Sequence, residues 1–431
     1  MRRVAVVGSG IAGLAAAHGL AGSCRVTLFE AGDYFGGHTH TVDLTLDGTR
    51  FGVDTGFLVL NERTYPRLLA LFAQLGVELA ASDMSFSVKA PGEGLEWSGS
   101  DLNTVFAQRR NLLRPRFWGM LADILRFNRI TTRLAHAGSE TQLDEPIGDF
   151  LIRHRFGNTF RDAYLLPMIG CIWSCPTDQM LRFPIATLIR FCHNHGLLQV
   201  SNRPQWLTVR GGARRYVETM VAALPDARLN AQVRRIRRLG QGTGVKVSTD
   251  AGTEHFDAVV LACHSDQSLA LLSDPTPDER AVLGSIRYHR NRAVLHTDTS
   301  LLPERRLAWA AWNYERAPEA SREQAAVCLH YWINKLQPLP ITTPVIVSLN
   351  PVREPRSGTI HGEFDYAHPV FDMAAIAAQK RVPELQGRAG TWFCGAWTRY
   401  GFHEDGLMSG QAVVDGLLES FESDGLDREA A

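Results

Sequence analysis

The first forty residues constrain this chain more than any other stretch. Val4-Ala-Val-Val7 runs into Gly8-Ser9-Gly10-Ile11-Ala12-Gly13 and then into a helix-forming Leu14-Ala-Ala-Ala17. That pattern predicts a strand, a glycine turn and a helix. In such a unit Gly8 permits a tight turn and Gly10 lets the backbone approach a pyrophosphate. Gly13 lets the helix lie close on the strand, and the helix N-terminus, from Ile11 and Ala12 onward, offers free N–H groups to the anion. A second strand, Arg25 to Phe29, ends at Glu30, where a carboxylate is placed to accept hydrogen bonds from an adenosine ribose. Strand before, helix after and acid at the next strand end agree with one another, and together they predict a bound dinucleotide.

The residues after Glu30 narrow the choice. Ala31-Gly-Asp-Tyr-Phe-Gly36-Gly37-His38-Thr39 supplies a second glycine pair, and Val53-Asp54-Thr55-Gly56-Phe57 comes soon after. Here the sequence resembles the flavin amine oxidase superfamily, which includes monoamine and polyamine oxidases, protoporphyrinogen oxidase and the phytoene-type desaturases. More narrowly, it resembles a bacterial branch of FAD/NAD-binding oxidoreductases with relatives linked to fatty-acyl modification. The resemblance implies FAD, held noncovalently because no cysteine stands in the family's attachment context. It places the Gly36-Gly37 pair beside the diphosphate, where His38 is read as a further contact, Gly56 and Phe57 against the isoalloxazine ring, and the backbone of Val233 on the adenine; Ala31 and Thr39 are counted with the cofactor-binding residues. Gly395 and the helix opening at Gly406-Leu407-Met408 match the family's final FAD element, whose helix N-terminus faces the flavin pyrimidine ring and favours negative charge there.

The implied fold is α/β: a Rossmann-like FAD-binding domain of the glutathione-reductase type, beside an α+β substrate domain with a mixed sheet and a helical block. The FAD domain takes residues 1–60, 205–275 and 386–422, the substrate domain 61–204 and 276–385, and 423–431 form a flexible tail. Local patterns agree with this division. Arg63 to Leu75 carries apolar residues at helical spacing and is stopped by Gly76; Met84 to Trp97 reads as a hairpin; 101–196 reads as helices broken by prolines. The alternating runs 286–296, 307–314, 327–333 and 345–350 read as a sheet. Gly240-Gln-Gly-Thr-Gly244 is a hairpin turn, because no helix comes after it, and this speaks against a second, NAD(P)H-binding domain.

Composition excludes several classes. Acidic and basic residues balance at 45 each, so no global field attracts nucleic acid. The seven cysteines are scattered, which predicts reduced thiols in the cytoplasm, and the Cys171/Cys175 pair has no matching pair to complete a zinc site. No metal is expected, no uninterrupted apolar stretch is long enough to span a bilayer, and no feature sets an oligomeric state. The glycine spacing near the N-terminus argues against reading its apolar run as a signal peptide. Residues 109–133 stand apart, with seven arginines against the single acid Asp123. With Phe117, Trp118, Leu121, Ile124, Leu125 and Ile130 interleaved, this segment reads either as a basic amphipathic helix lying on the inner face of a membrane or as a helix that buries its apolar stripe and solvates its arginines.

FAD performs the redox step in such proteins, so a protein base is optional. His403 and Glu404, with Tyr400 nearby, precede the last helix in a loop that in the family borders the flavin's reactive side, and His403 is the preferred candidate for proton removal; a loop histidine bonded to backbone is the alternative. The segment from His264 to Leu272 contains no lysine, although many amine-oxidising relatives place one there. Three functions remain open: a desaturase or oxidase acting on a hydrophobic, fatty-acyl or lipid substrate, an amine oxidase acting on a small amine or polyamine, and a non-catalytic FAD-bound partner of a lipid-modifying enzyme.

Overall fold

The computed structural model describes residues 1–139, 143, 145–199, 204–240, 243–317 and 326–430. Its centre is a five-stranded parallel sheet in the order Ala227–Arg228, Arg25–Phe29, Arg3–Val7, Ala258–Leu261, Thr391–Phe393. Numbered along the chain, that order is 3-2-1-4-5, the doubly wound arrangement in which ligands sit beyond the carboxyl ends of the strands where the order reverses. Val4–Val7 is apolar throughout because both sheet faces are covered. Val4 and Val6 pack on the side of the first helix, Ile11–Leu20, and Ala5 and Val7 on an antiparallel meander of Val233–Arg238, Val245–Thr249 and Gly252–Phe256. Gly240–Gly244 lies between the first two meander strands as expected, with 241 and 242 outside the described residues.

The C-terminal helix, His403–Ala430, lies against the first helix. Glycines make that approach close: a Cβ added at Gly410 would stand 2.4 Å from the Ala12 carbonyl oxygen, and one at Gly406 would stand 2.7 Å from Ile11 Cγ2. The helical backbone continues to Ala430, where the sequence suggested a tail.

A seven-stranded mixed sheet forms the second layer system, in the order Ile360–Val370, Arg287–His296, Ile346–Leu349, Cys328–Trp332, Trp312–Glu315, Phe86–Ala90, Leu95–Ser98. The expected hairpin thus joins the expected late sheet, through the one parallel pairing in it, Trp312–Glu315 with Phe86–Ala90. Against this sheet lies the helical block, whose long helix Pro115–His136 buries Phe117, Met120 and Phe127. Helix Pro66–Leu75 begins with proline, which needs no donor there, and ends at Gly76 with φ 67°. No helix among the described residues is long and apolar enough to cross a membrane.

Candidate active site: a cavity with a backbone end and a side-chain end

A cavity of about 740 Å³ opens at the carboxyl edge of the parallel sheet and runs to the mixed sheet. Its first end is made of backbone. Gly8 has φ 99° and lies against residue 262, since an added Cβ would stand 3.0 Å from the Ala262 carbonyl oxygen. Gly10 caps the first helix with no side-chain acceptor and no acid in the first turn, and a Cβ there would meet nothing within 4 Å. Gly13 is the opposite case. Its Cβ would fall 1.9 Å from the Gly8 carbonyl oxygen, so this glycine serves the packing of helix on strand and does not line the cavity. Ser9, Ile11 and Ala12 do line it.

Glu30 holds this end together. One carboxylate oxygen accepts from the Ser9 N–H (2.9 Å) and hydroxyl (2.5 Å), the other from the Gly32 N–H (2.9 Å), and the Ser9 hydroxyl accepts in turn from the Gly36 N–H (3.0 Å). A carboxylate has about four acceptor sites, so Glu30 braces the glycine loop and keeps capacity for a ribose hydroxyl. Ala31 and Val233 line the same end. Gly37 packs on Gly10, and a Cβ at Gly56 would stand 2.1 Å from the His38 carbonyl oxygen. His38 is half-buried and lines the cavity, and its Nε2 is buried without a hydrogen-bond partner. Burial, then the neighbouring His264, lowers its pKa to about 4. Burial likewise lowers His264 to about 4 and His368 to about 3, so these imidazoles are neutral at pH 7. An uncapped helix N-terminus facing open space, an unsatisfied buried ring nitrogen and an acid with a spare acceptor site fit a dinucleotide along this groove.

Midway, Phe57 and His403 stack with centroids 3.6 Å apart. His403 Nε2 lies 2.8 Å from the Thr39 hydroxyl and 3.1 Å from the Tyr216 hydroxyl. Burial lowers its pKa to about 3, far from the operating pH at which a general base works best. His403 is therefore a neutral wall group, and Thr39 orients it from outside the cavity. The other two expected catalytic groups are corrected by the structure. Glu404 turns away and accepts the N–H groups of Arg67 and Leu68, each at 2.9 Å, capping helix Pro66–Leu75. Tyr400 does not line the cavity, and its carbonyl accepts from Trp173 Nε1. Gly395 lines the cavity, but Gly406, Leu407 and Met408 do not, because the helix starts at His403 and these residues belong to its first turns. Asp54 is also off the cavity. Burial raises its pKa to about 7, and it joins three distant segments by accepting from Thr41, the Ala213 N–H and Gln337.

The far end is built of side chains. Met84 and Phe86 come from the hairpin, Met168 and Ile172 from helix Leu166–Trp173, Phe191 from helix Ile185–Asn194, and Trp312 from the mixed sheet. Among the lining residues the only carboxylate is Glu30, at the opposite end. Trp312 Nε1 is buried without a partner. Sequence reasoning missed Tyr216, His264, His368 and Trp312, since each acquires its role only from contacts distant in sequence. Outside the cavity, Glu315, Cys328 and His330 place ligand-type atoms within 4.8 Å of one another, but Lys89 (3.0 Å) and His330 (2.9 Å) already occupy the Glu315 carboxylate, and His330 Nδ1 contacts Ser348. That cluster is a satisfied polar network.

The family model for flavin-containing amine oxidoreductases matches residues 11–306. The chain belongs to that family. Membership implies a flavin cofactor, and the backbone end described above fits FAD. A putative flavin-containing monoamine oxidase of Mycobacterium tuberculosis, AofH, is 29% identical over 288 residues, covering 63% of this chain; the matched stretch spans 59% of that relative. Among solved structures, a CLA-producing fatty acid isomerase from P. acnes superposes with a TM-score of 0.66 at 17% identity, covering 96% of this chain and 98% of that one. Cyclohexylamine oxidase from Brevibacterium oxydans gives 0.68 at 15% identity, covering 98% and 99%. Both likenesses establish the fold.

Proposed function

We propose that this family member is an FAD-dependent oxidoreductase that removes a hydride equivalent from a hydrophobic, fatty-acyl or lipid substrate. Bound FAD supplies the two-electron acceptor. On this reading residues 1–60, 205–275 and 386–422 hold the cofactor: Gly10 and the first helix N-terminus take the diphosphate, Glu30 the ribose, and His38 Nε2 a cofactor acceptor atom. Residues 61–204 and 276–385 supply the walls that orient the substrate and exclude water.

One observation carries the substrate class: the far end has mostly apolar and aromatic walls, a buried unpaired donor in Trp312 Nε1, and no carboxylate among the lining residues. A cationic amine there would give up its hydration for neutral groups alone, such as Ser174 and His195, with no carboxylate to pair it, whereas an acyl chain buries its methylenes at about 0.8 kcal/mol each and an ester or carboxyl oxygen suits the indole N–H. The likeness to AofH favours the amine reading. Anaerobic mixing of the flavin-loaded protein with phospholipids, free and methyl-branched fatty acids, and polyamines separates the two: bleaching of the flavin band by acyl compounds alone supports the proposal, and bleaching by amines alone rejects it. No bleaching by any of them would favour the non-catalytic partner. We also infer noncovalent flavin. The two cysteines lining the cavity, Cys171 and Cys263, are held as thiols by burial, which raises Cys263 to about 11. Acid precipitation should leave the yellow colour in the supernatant; colour in the pellet would refute this. Seven cysteines, none of them in a disulfide, support a reducing, cytoplasmic setting.

A further inference from the structure

The helix Pro115–His136 was expected either to insert its apolar stripe into a membrane or to bury it. It does bury the greater part: Phe117 is in the core, and Leu121, Ile124 and Ile130 pack against the core. A different apolar set stays in solvent. Leu102 is 79% exposed, Leu113 86%, Leu125 57%, Trp118 49% and Leu112 47%.

These residues form one ridge. Arg109 donates to the Asn103 and Phe106 carbonyls, tying the turn at 109–113 to the short helix Leu102–Val105. Trp118 Nε1 donates to the Leu112 carbonyl (2.9 Å), and its ring lies 5.3 Å from that of Phe106. Leu125 comes two helical turns after Trp118 and shares its face. Guanidinium groups border the ridge. Arg109, Arg110, Arg129 and Arg133 are exposed, and among the described residues none of the four makes an ion pair. Arg110 donates to the Gly94 carbonyl, a neutral partner. Asp123, the segment's only acid, is taken by Arg126 and the Gly157 N–H.

We propose that this ridge docks the protein reversibly on an anionic phospholipid bilayer, with Leu113 and Trp118 at the acyl boundary and Arg129 and Arg133, on the same side of the helix, among the headgroups. Large apolar side chains held in water next to uncompensated positive charge match both layers of such an interface. A second copy of the chain is a poorer occupant, because two such faces would bring arginines against arginines. The long helix packs on helix Ile185–Asn194, whose Phe191 lines the cavity, so the docked face and the apolar end share one helical block. The docking depends on this surface alone and holds whichever substrate the cavity takes.

The test is sedimentation with vesicles of phosphatidylcholine, with and without phosphatidylglycerol, at low and high salt. The wild-type protein should pellet with the anionic vesicles at low salt, weakly with phosphatidylcholine alone, and less at high salt, since the Debye length falls from about 30 Å at 0.01 M to about 3 Å at 1 M. Arg129→Gln/Arg133→Gln should lower partitioning by roughly twenty-five-fold, from roughly fivefold per cation. Leu113→Asp, at an exposed position, should lower it about tenfold or more, and both variants should keep wild-type flavin content as the check on folding. Equal pelleting on the two vesicle types, no pelleting, or pelleting unchanged by both variants overturns the proposal. So does a lipid-free wild-type dimer in analytical ultracentrifugation that Leu113→Asp converts to monomer, which would assign the ridge to a second copy.

Discussion

The two ends of the cavity are made of different material. At the glycine end the main chain of Gly8, Gly10, Gly36 and Gly37 lines the wall beside the Glu30 and His38 side chains, and single Cβ positions decide what fits: open space at Gly10 in the wall, and at Gly13 behind it a Gly8 carbonyl that only a glycine clears. At the far end the walls are side chains from the hairpin, the helical block and the mixed sheet. A backbone-built end has almost no freedom to change without losing its ligand or its fold, whereas a side-chain-built end can be altered residue by residue while the fold and the flavin stay. The first end accordingly fits the cofactor, and under the proposed function the choice of substrate belongs to the second.

The largest effects on that contrast should come from the two helix glycines. Gly13→Val should prevent stable folding, because its first carbon would collide with main chain that cannot move aside, a cost at or above the ~1–3 kcal/mol typical of overpacking. Gly10→Val should fold, since a Cβ added there meets nothing within 4 Å, yet it should purify without flavin. Thermal unfolding of the flavin-free proteins and the flavin absorbance of the purified ones check both. A Gly10→Val protein with full flavin content would remove the diphosphate assignment.

A smaller effect should come from acid. His38, His264, His368 and His403 have folded pKa values of about 4, 4, 3 and 3 against an unfolded value of 6.5. The unfolded chain takes up protons below about 6.5 that the folded chain refuses, so their contribution to stability is complete above that pH and is lost as pH falls toward 4. Asp54 and Asp405, raised by burial to about 7 and about 6, act in the opposite sense, so the imidazole effect is read by difference. Between pH 7 and pH 5, flavin-free His368→Gln should lose less stability than the wild type, by up to about 2 kcal/mol for one imidazole. Parallel profiles would show that His368 is not held neutral.

Smaller again is Glu404→Gln. It weakens two charge-assisted bonds at the start of helix Pro66–Leu75, costing about 1–2 kcal/mol, and the rate of flavin reduction should not change. A stable but inactive Glu404→Gln would restore the catalytic role that its position next to His403 suggested.

That residue shows where the sequence stops being readable. The glycine spacing, Glu30 and the parallel strands were legible because a strand–turn–helix unit is local and its geometry is set by which residues lack a side chain. The mixed sheet was legible from alternation. Glu404 was not, since its partners Arg67 and Leu68 lie more than three hundred residues earlier, and neither was the quenched basicity of His403, which depends on burial against Phe57 and two hydroxyls. The hairpin Thr41–Leu46/Thr49–Asp54 did carry a signal that went unread: Asp47-Gly48, both at positive φ, is the turn dipeptide such hairpins favour. The exposed ridge was half legible, its arginines from composition, its apolar members only once the core had claimed the others.

If an apolar, side-chain-built end feeds a backbone-built flavin end, Met168→Trp should narrow the first without touching the second. Wild type and variant, loaded with flavin, would be mixed anaerobically in a stopped-flow instrument with a detergent-dispersed fatty-acyl substrate or with a polyamine. Equal flavin content, bleaching of the wild type by the acyl compound only, and a rate about tenfold or more lower in the variant, as expected when a reacting group is displaced by an ångström or so, are the predicted results. Bleaching by the polyamine while the acyl compound is silent would contradict this division of the cavity.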